Sequence, residues 1–175
     1  MNFFELFELP LALELDEILL TTKYYELNRK YHPDKFISAS LDEQKLALRK
    51  SSQVNQGYKI LKKKQTRVRH LLELFNAAPE EGKEAMPQEF LLEMMDLNEA
   101  IMDYKLSPND DSKSKIESSI DEFDNMLNND LTHSFEHFDY KAPSDEALEK
   151  IKKTYLKTKY LKRLRDNLED RRVDI

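Results

Sequence analysis

The sequence predicts an all-α fold in two modules, an N-terminal helical hairpin with short flanking helices and a C-terminal antiparallel three-helix bundle. Gly and Pro, which the many turns of strand-rich folds require, number only 2 and 6 among 175 residues. Over most of the chain, apolar residues recur at spacings of three and four, the period of one face of a helix. Long helices joined by few turns are therefore expected.

Four helices are predicted in the first 75 residues. The first is short and stops at Pro10, and the second follows an N-cap at Asp16 and ends at Tyr31. The third begins at Ser40 with the capping-box pattern Ser-x-x-Glu, and a short fourth helix covers 66–75. The apolar positions predicted for the second helix are Ile18, Leu19, Tyr24 and Leu27, and the buried face predicted for the third is Ala47, Ser51, Val54, Tyr58 and Leu61.

A break in the helical pattern covers 76–87, which contains two of the six Pro and one of the two Gly. We interpret it as the link between a first module, 1–75, and a second module, 88–175. Three longer helices are predicted after the break, and short turns between amphipathic helices favour an antiparallel bundle. Their predicted ranges are 87–105, 113–138 and 144–169.

Charge is unevenly distributed between these modules. Residues 1–75 carry 13 Lys and Arg against 10 Asp and Glu, whereas residues 76–175 carry 15 against 24. The acidic second half argues against nucleic acid as a partner, because phosphates need clustered cations. The absence of Cys excludes disulfides, thiolate catalysis and Cys-ligated metal sites.

The compartment is predicted from the apolar runs and from the start of the chain. No apolar run reaches the roughly 18 residues that a membrane span needs. Residues 1–10 carry two Glu and no Lys or Arg, unlike a signal peptide or a mitochondrial presequence. We therefore expect a cytoplasmic, bacterial protein that contacts neither membrane nor nucleic acid.

The tripeptide His32-Pro33-Asp34 lies at the tip of the predicted hairpin. Proline fixes one backbone angle, so a donor and an acceptor project from a stiff corner. Such a pair suits a protein–protein contact, for example a bidentate bond from a partner Arg to Asp34. For a His-Pro-Asp tripeptide taken alone, a helix stop followed by a polar turn is the commoner interpretation. The position of this tripeptide at the tip of a helical hairpin favours a protein–protein contact instead.

The first module resembles the J domain, whose signature is a helical hairpin with His-Pro-Asp at its tip. The resemblance includes Leu9-Pro10, the run LNRKYHPDKF that ends at Phe36, and the run VNQGYKIL that ends at Leu61. It implies docking on a DnaK-class chaperone and stimulation of that partner's ATP hydrolysis, by a protein that is not itself an enzyme. The chaperone-binding residues that it implies are His32, Pro33, Asp34, Lys35, Lys23, Arg29 and Lys30.

The helix before the loop is less basic than the corresponding helix of general-purpose J proteins. It offers Lys23, Arg29 and Lys30, but Tyr25 and Glu26 stand where cations are typical. This composition indicates weaker electrostatic steering or a specialised chaperone partner.

Over its full length the chain resembles the HscB-type co-chaperones of iron–sulfur cluster biogenesis. The resemblance includes Phe36 directly after Lys35, Asn55, the run FLLEMMDL that ends at Leu97, and Lys159-Tyr160-Leu161. It implies an HscA-like DnaK-class chaperone and an IscU-like iron–sulfur scaffold as partners, with no cofactor. The scaffold contacts that it implies are Leu91, Leu92, Met95 and Tyr160.

The residues themselves also indicate a second apolar face on the bundle. At about 100° per residue, the core face of the first bundle helix holds Phe90, Met94, Leu97, Ile101 and Tyr104. Other apolar residues of the first and last bundle helices lie outside the predicted core. They have two interpretations, contact with a client protein or packing against the first module. In the first bundle helix these residues are Leu91, Leu92, Met95 and Met102. In the last helix the predicted core stripe is Ala147, Ile151, Leu161 and Leu168. A second apolar stripe of that helix is Leu156, Tyr160 and Leu164.

His133 and His137 lie four residues apart on one predicted helix, a spacing that can hold a metal ion. The pattern HSFEH differs from the zinc-protease motif and no third ligand is evident, so we interpret the pair as part of a solvated face and predict no metal site. Two alternative functions stay open. One is a J-domain co-chaperone for a different client, and the other is a helical metal-dependent hydrolase that uses this histidine pair.

Overall fold

The computed structural model describes residues 1–80 and 86–170. Within these residues the secondary structure is helical and contains no strand, which confirms the all-α prediction. The chain divides into two compact units, Met1–Asn76 and Ala77–Ile175. Part of the predicted link, 76–87, lies outside the described residues. No described helix is both long enough and apolar enough to cross a membrane.

The N-terminal unit begins with a short helix that is capped at both ends by local chemistry. The Asn2 side chain accepts hydrogen bonds from the first turn of α1, and the left-handed backbone at Glu8 (φ 54°) follows its end. The predicted N-cap at Asp16 and the capping box between Ser40 and Glu43 are both confirmed. The helices of this unit are α1 (Phe3–Leu6), α2 (Glu17–Tyr31), a 3₁₀ helix (Pro33–Phe36), α3 (Leu41–Lys62) and α4 (Lys64–Leu74).

Helix α2 buries a different residue from those predicted. Leu20 is 1% exposed, whereas Ile18 is 80% exposed and Leu19 also lies in solvent. The prediction for Ile18 and Leu19 was wrong, because three consecutive apolar residues do not define a helical phase. Packing against α3 sets that phase, and Leu20 then shares a face with the half-buried Tyr24 and Leu27 at spacings of four and three.

Gly57 allows α1 to lie directly on α3. A Cβ atom at this position would lie 2.7 Å from Cδ1 of Phe3 and 2.8 Å from Cε2 of Phe7. Both rings are buried and cannot move aside without opening the core. The absence of a side chain at Gly57 is therefore what brings the aromatic residues of α1 against the hairpin.

The junction between α3 and α4 is held by Arg67, which is almost fully buried. Its Nε donates to the carbonyl oxygen of Leu61 at 2.7 Å, and its Nη1 donates to that of Leu13. Burial lowers the pKa of the guanidinium, while the acidic Glu14 and Glu17 act in the opposite direction. The side chain thus ties the end of the hairpin to the segment that precedes α2.

The C-terminal unit is a helical bundle in which α6, α7 and α8 all pack against one another. Short connections between consecutive helices give the antiparallel three-helix arrangement that was predicted. The predicted single helix 87–105 is instead interrupted at Met94, which divides it into α5 and α6. The bounds are α5 (Gln88–Glu93), α6 (Met95–Leu106), α7 (Asp110–Glu136) and α8 (Asp145–Glu169).

The bundle core confirms most of the predicted buried face and corrects the last helix. Leu164 was assigned to a second, outer stripe of α8, but it is buried in the core. Helix α8 is flanked by both α6 and α7, so its buried arc is wider than one stripe. The core cluster consists of Phe90, Met94, Leu97, Ile101, Ile116, Ile120, Leu127, Leu161, Leu164 and Leu168.

Candidate functional site

The hairpin tip is a rigid, exposed corner built by His32, Pro33 and Asp34. Helix α2 ends at His32, whose extended backbone (φ −62°, ψ 125°) meets the requirement of the following proline. Pro33 then opens the 3₁₀ helix, and the backbone N–H of Lys35 closes the turn on the carbonyl oxygen of His32 at 3.0 Å. All three side chains of the tripeptide are exposed.

The imidazole of His32 is oriented by the loop itself. Its Nδ1 accepts the backbone N–H of Asp34 at 3.3 Å and lies 3.6 Å from Oδ2 of the same residue. Because Nδ1 uses its lone pair as an acceptor, the proton of the neutral ring is on Nε2. The corner therefore presents a donor on His32 and an acceptor on Asp34, whose carboxylate is largely solvent-exposed.

A ladder of polar and aromatic contacts holds the two arms of the hairpin together below this corner. The rings of Tyr24 and Tyr58 stack with centroids 4.2 Å apart. The hydroxyl of Tyr24 donates to Oδ1 of Asn55 at 3.0 Å and accepts Nδ2 of Asn28 at 3.2 Å. Thr21 lies 3.3 Å from the Tyr58 hydroxyl. These contacts fix the direction in which the tip points.

The cations predicted on α2 have unequal environments. Lys23 is half-buried and forms an ion pair with Glu8 at 2.6 Å, and this hydrogen bond lowers the pKa of the Glu8 carboxyl. Arg29 and Lys30 are exposed near the loop, where the Lys30 ammonium lies 5.3 Å from the centroid of the Tyr31 ring. Lys35 is also exposed. Three of the four predicted cations are therefore accessible, and Lys23 links α2 to the end of α1.

An apolar depression adjoins the signature tripeptide, and sequence reasoning missed it. A cavity of about 410 Å³ is open to solvent beside Pro33 and Asp34. Its apolar wall consists of Ile37, Leu41 and Leu48, all exposed. The signal was present in the sequence, since Leu41 and Leu48 are two turns apart on one face of α3 and were absent from its predicted buried face.

The bundle carries a second exposed apolar surface on α5 and α6. Leu91, Leu92 and Met95 are exposed, with Leu92 at 59% and Met95 at 60%, as expected for residues outside the core. Met102 and Leu106 extend this surface along α6. We call these five residues the bundle face. The exposed Asp96, Glu99 and Asp103 on α6 surround it with negative charge.

Tyr160 differs from the other residues predicted for this surface. It is half-buried, and its ring meets that of Phe90 edge-on with centroids 5.6 Å apart. Its hydroxyl accepts a hydrogen bond from Nδ2 of Asn98 at 2.9 Å, and the same amide donates to the carbonyl oxygen of Met94 at 2.7 Å. Tyr160 thus supports the junction of α5 and α6 from below and exposes only part of its ring.

A third cluster lies at the C-terminal end of α7. His133 and His137 face one another with ring centroids 5.4 Å apart, and Nδ1 of His133 lies 3.2 Å from Oε2 of Glu136. One ligand atom from each residue falls within 4.8 Å of the other two. Glu136 is a third side chain able to coordinate a metal ion beside the two histidines, and it was not identified from the sequence.

The helical hairpin with an exposed His-Pro-Asp corner, followed by a helical bundle, defines a J-domain protein with an appended C-terminal domain. Comparison with known proteins identifies the family within this class. Residues 86–169 match the family model described as the HSCB C-terminal oligomerisation domain. The co-chaperone protein HscB homolog of Shewanella loihica is 35% identical over 172 residues, which cover 97% of this chain and 96% of the relative. That of Shewanella halifaxensis is 30% identical over 170 residues, which cover 96% and 95%.

Solved structures have the same architecture. The chaperone HscB from Vibrio cholerae superimposes with a TM-score of 0.79 at 26% identity, covering 96% of both chains. The crystal structure of human co-chaperone protein HscB gives a TM-score of 0.82 at 24% identity, covering 97% of this chain and 81% of the human one. The chain therefore belongs to the HscB family of J-domain co-chaperones, as its sequence predicted.

Proposed function

We propose that this co-chaperone binds an IscU-like iron–sulfur scaffold and delivers it to an HscA-like DnaK-class chaperone, whose ATP hydrolysis it stimulates during cluster assembly and transfer. The observation that carries the proposal is the presence of two exposed surfaces of different chemistry, one in each unit. In this assignment residues 1–75 are the J domain, 76–87 the linker and 88–175 the client-binding domain. The protein acts in the bacterial cytoplasm.

The chaperone contact is assigned to the hairpin tip. The Nε2–H of His32 and the carboxylate of Asp34 are a donor and an acceptor held by a closed backbone turn, so little conformational entropy is lost on docking. Arg29, Lys30 and Lys35 supply accessible positive charge around them. Lys23 contributes through its ion pair with Glu8, which orients α2 relative to α1.

The scaffold contact is assigned to Leu91, Leu92, Met95 and Tyr160. The first three are exposed apolar side chains, and a flexible methionine adapts to the shape of a partner. Tyr160 has a smaller role in this assignment, since its hydroxyl is engaged by Asn98 and its ring supports Phe90. The acidic residues around the bundle face suit a scaffold whose docking surface is basic.

Holding both partners on one chain raises the concentration of the scaffold at the chaperone. Stimulation of the ATPase by scaffold and co-chaperone together is therefore expected to exceed the product of their separate effects. The second candidate function, a J-domain co-chaperone for a different client, has the same tip and the same bundle face. A pull-down that captures another protein instead of an IscU-like scaffold would favour it.

The test measures the single-turnover ATPase rate of an HscA-like chaperone with the full-length protein, with and without scaffold. His32→Gln should abolish stimulation while scaffold affinity, measured by calorimetry, stays unchanged. The double variant Leu92→Ala and Met95→Ala should lose scaffold affinity and keep the stimulation seen without scaffold. Normal stimulation by His32→Gln would refute the assignment of the tip, and unchanged scaffold affinity in the double variant would refute that of the bundle face.

A further inference from the structure

The cluster at the end of α7 has the composition and spacing of a site for a transition-metal ion. His133, Glu136 and His137 stand at positions i, i+3 and i+4, which bring them to one face of a helix. Two imidazoles and one carboxylate are ligands that zinc accepts, and imidazole also suits nickel and copper. All three side chains are exposed, so an ion can reach them directly from solvent.

The distances between the ligand atoms are close to those that a bound ion requires. Two ligands that each lie about 2.0–2.1 Å from a tetrahedral ion are about 3.3 Å apart. Nδ1 of His133 and Oε2 of Glu136 already lie 3.2 Å apart, and the full set of ligand atoms lies within 4.8 Å. Rotation of exposed side chains closes the remaining difference without any movement of the backbone.

The surroundings of the cluster also favour a cation. His137 is the C-cap of α7, and the carbonyl groups at a helix C-terminus carry partial negative charge. A cavity of about 390 Å³ beside the cluster is lined by Glu146 and Lys150 of α8, whose opposite charges offset each other. Ser134 lines the same cavity, and its buried hydroxyl has no hydrogen-bond partner among the described residues.

We propose that His133, Glu136 and His137 bind one zinc-type divalent ion at the surface of the bundle, with water in the remaining coordination position. This site shares no residue with the hairpin tip or with the bundle face. The ion fixes the last turn of α7, where the chain leaves the helix toward α8. A hydrolytic role does not follow, because a fully exposed ion lacks the water-excluding cleft that hydrolysis uses.

Calorimetric titration of the untagged, full-length protein with zinc chloride tests the site. One ion should bind, and magnesium should not compete, because it prefers oxygen ligands. His133→Gln and His137→Gln should each weaken zinc binding by roughly tenfold or more. Glu136→Gln should weaken it less, and Glu122→Gln, which removes an exposed acid of α7 three turns before the cluster, should leave the affinity unchanged. Wild-type affinity in the double histidine variant would overturn the proposal.

A second measurement on the wild-type protein keeps the test independent of how well the variants fold. Substoichiometric nickel or copper should broaden the NMR signals of the His133 and His137 rings before those of His32 and His70. Broadening that begins instead at His32, His70 or the chain terminus would locate the ion elsewhere and overturn the site. Absence of any zinc heat at millimolar concentration would do the same.

Discussion

At the residue scale, His70 is a buried base that the function does not use. Its ring is 4% exposed, and Nε2 accepts the backbone N–H of Phe3 at 3.2 Å, so Nδ1 carries the proton beside Glu73. Burial lowers the pKa of His70 below the ordinary value of 6.5, and this effect outweighs the opposing hydrogen bond to Glu73. Protonation in the folded state would remove the lone pair that holds the start of α1.

The stability of the N-terminal unit should therefore fall as the pH is lowered through 6.5. Below that value the unfolded chain binds a proton on His70 and the folded chain resists it, so acid favours unfolding. The free energy of unfolding, measured by urea titration at several pH values, should decline less steeply in His70→Gln, which cannot titrate. His32→Gln removes an exposed histidine and is the matched control. Equal pH slopes in the wild type and in His70→Gln would contradict this account.

At the scale of elements, the packing of α1 on α3 depends on a single missing side chain. Gly57→Ala places a Cβ atom within 2.8 Å of two buried rings, and such overpacking costs about 1–3 kcal/mol. Alanine regains about 1 kcal/mol of helix propensity, which leaves a net loss of up to about 2 kcal/mol. Thermal unfolding should therefore show destabilisation in Gly57→Ala. Gln56→Ala, one position away and exposed, is the control and should be neutral or stabilising. A similar gain in stability in Gly57→Ala would show that the rings of Phe3 and Phe7 move aside.

The apolar depression between the 3₁₀ helix and α3 belongs to the same scale. It shares Pro33 and Asp34 with the hairpin tip, so we expect a chaperone that docks on the tip to cover it. Leu48→Ala should then raise the concentration that gives half-maximal ATPase stimulation by roughly threefold to tenfold, the loss expected for a partly buried leucine. Leu46→Ala is the matched control, because it removes another exposed leucine of α3 that does not line the depression. Equal effects of the two substitutions would argue against docking there.

At the scale of the whole molecule, net charge differs between the units that carry the two proposed partner surfaces. Residues 76–175 hold 24 acidic and 15 basic side chains, and three of the acids surround the bundle face. Long-range attraction between this acidic region and a basic partner raises the association rate and is screened by salt.

The association rate of scaffold and co-chaperone should fall by about tenfold between roughly 50 mM and 500 mM salt, measured by stopped-flow. Replacing Asp96, Glu99 and Asp103 by their amides should reproduce that fall at low salt, with little change in the dissociation rate. Glu122→Gln, an exposed acid on α7, is the control and should have a small effect. A rate that does not depend on salt would show that charge plays no part in the encounter.

Much of the fold could be predicted from short stretches of sequence. The caps at Asp16 and Ser40 were predicted because capping requires only a side chain and the backbone of the next turn. Pro33 ended α2 for an equally local reason. The exposure of Leu92 and Met95 also followed from helical periodicity, since the core residues of their helix were correctly identified.

Other features required the packed molecule. The interruption at Met94 was not predicted, because each half of the segment has a continuous helical pattern. Tyr160 and Asn98 are 62 residues apart, so no local pattern pairs them. The burial of Arg67 was equally invisible, since its carbonyl partners come from two separate parts of the chain.

The sequence by itself determined the class of fold, the starts of α2 and α3, the exposed His-Pro-Asp corner and the family. These depend on local chemistry and on a pattern that spans the chain. Only the tertiary structure decided that Leu20 is buried in place of Ile18 and that Leu164 belongs to the core. A helix can carry apolar residues on more than one face. The one that is buried depends on where neighbouring helices press against it, and that is a property of the packed whole.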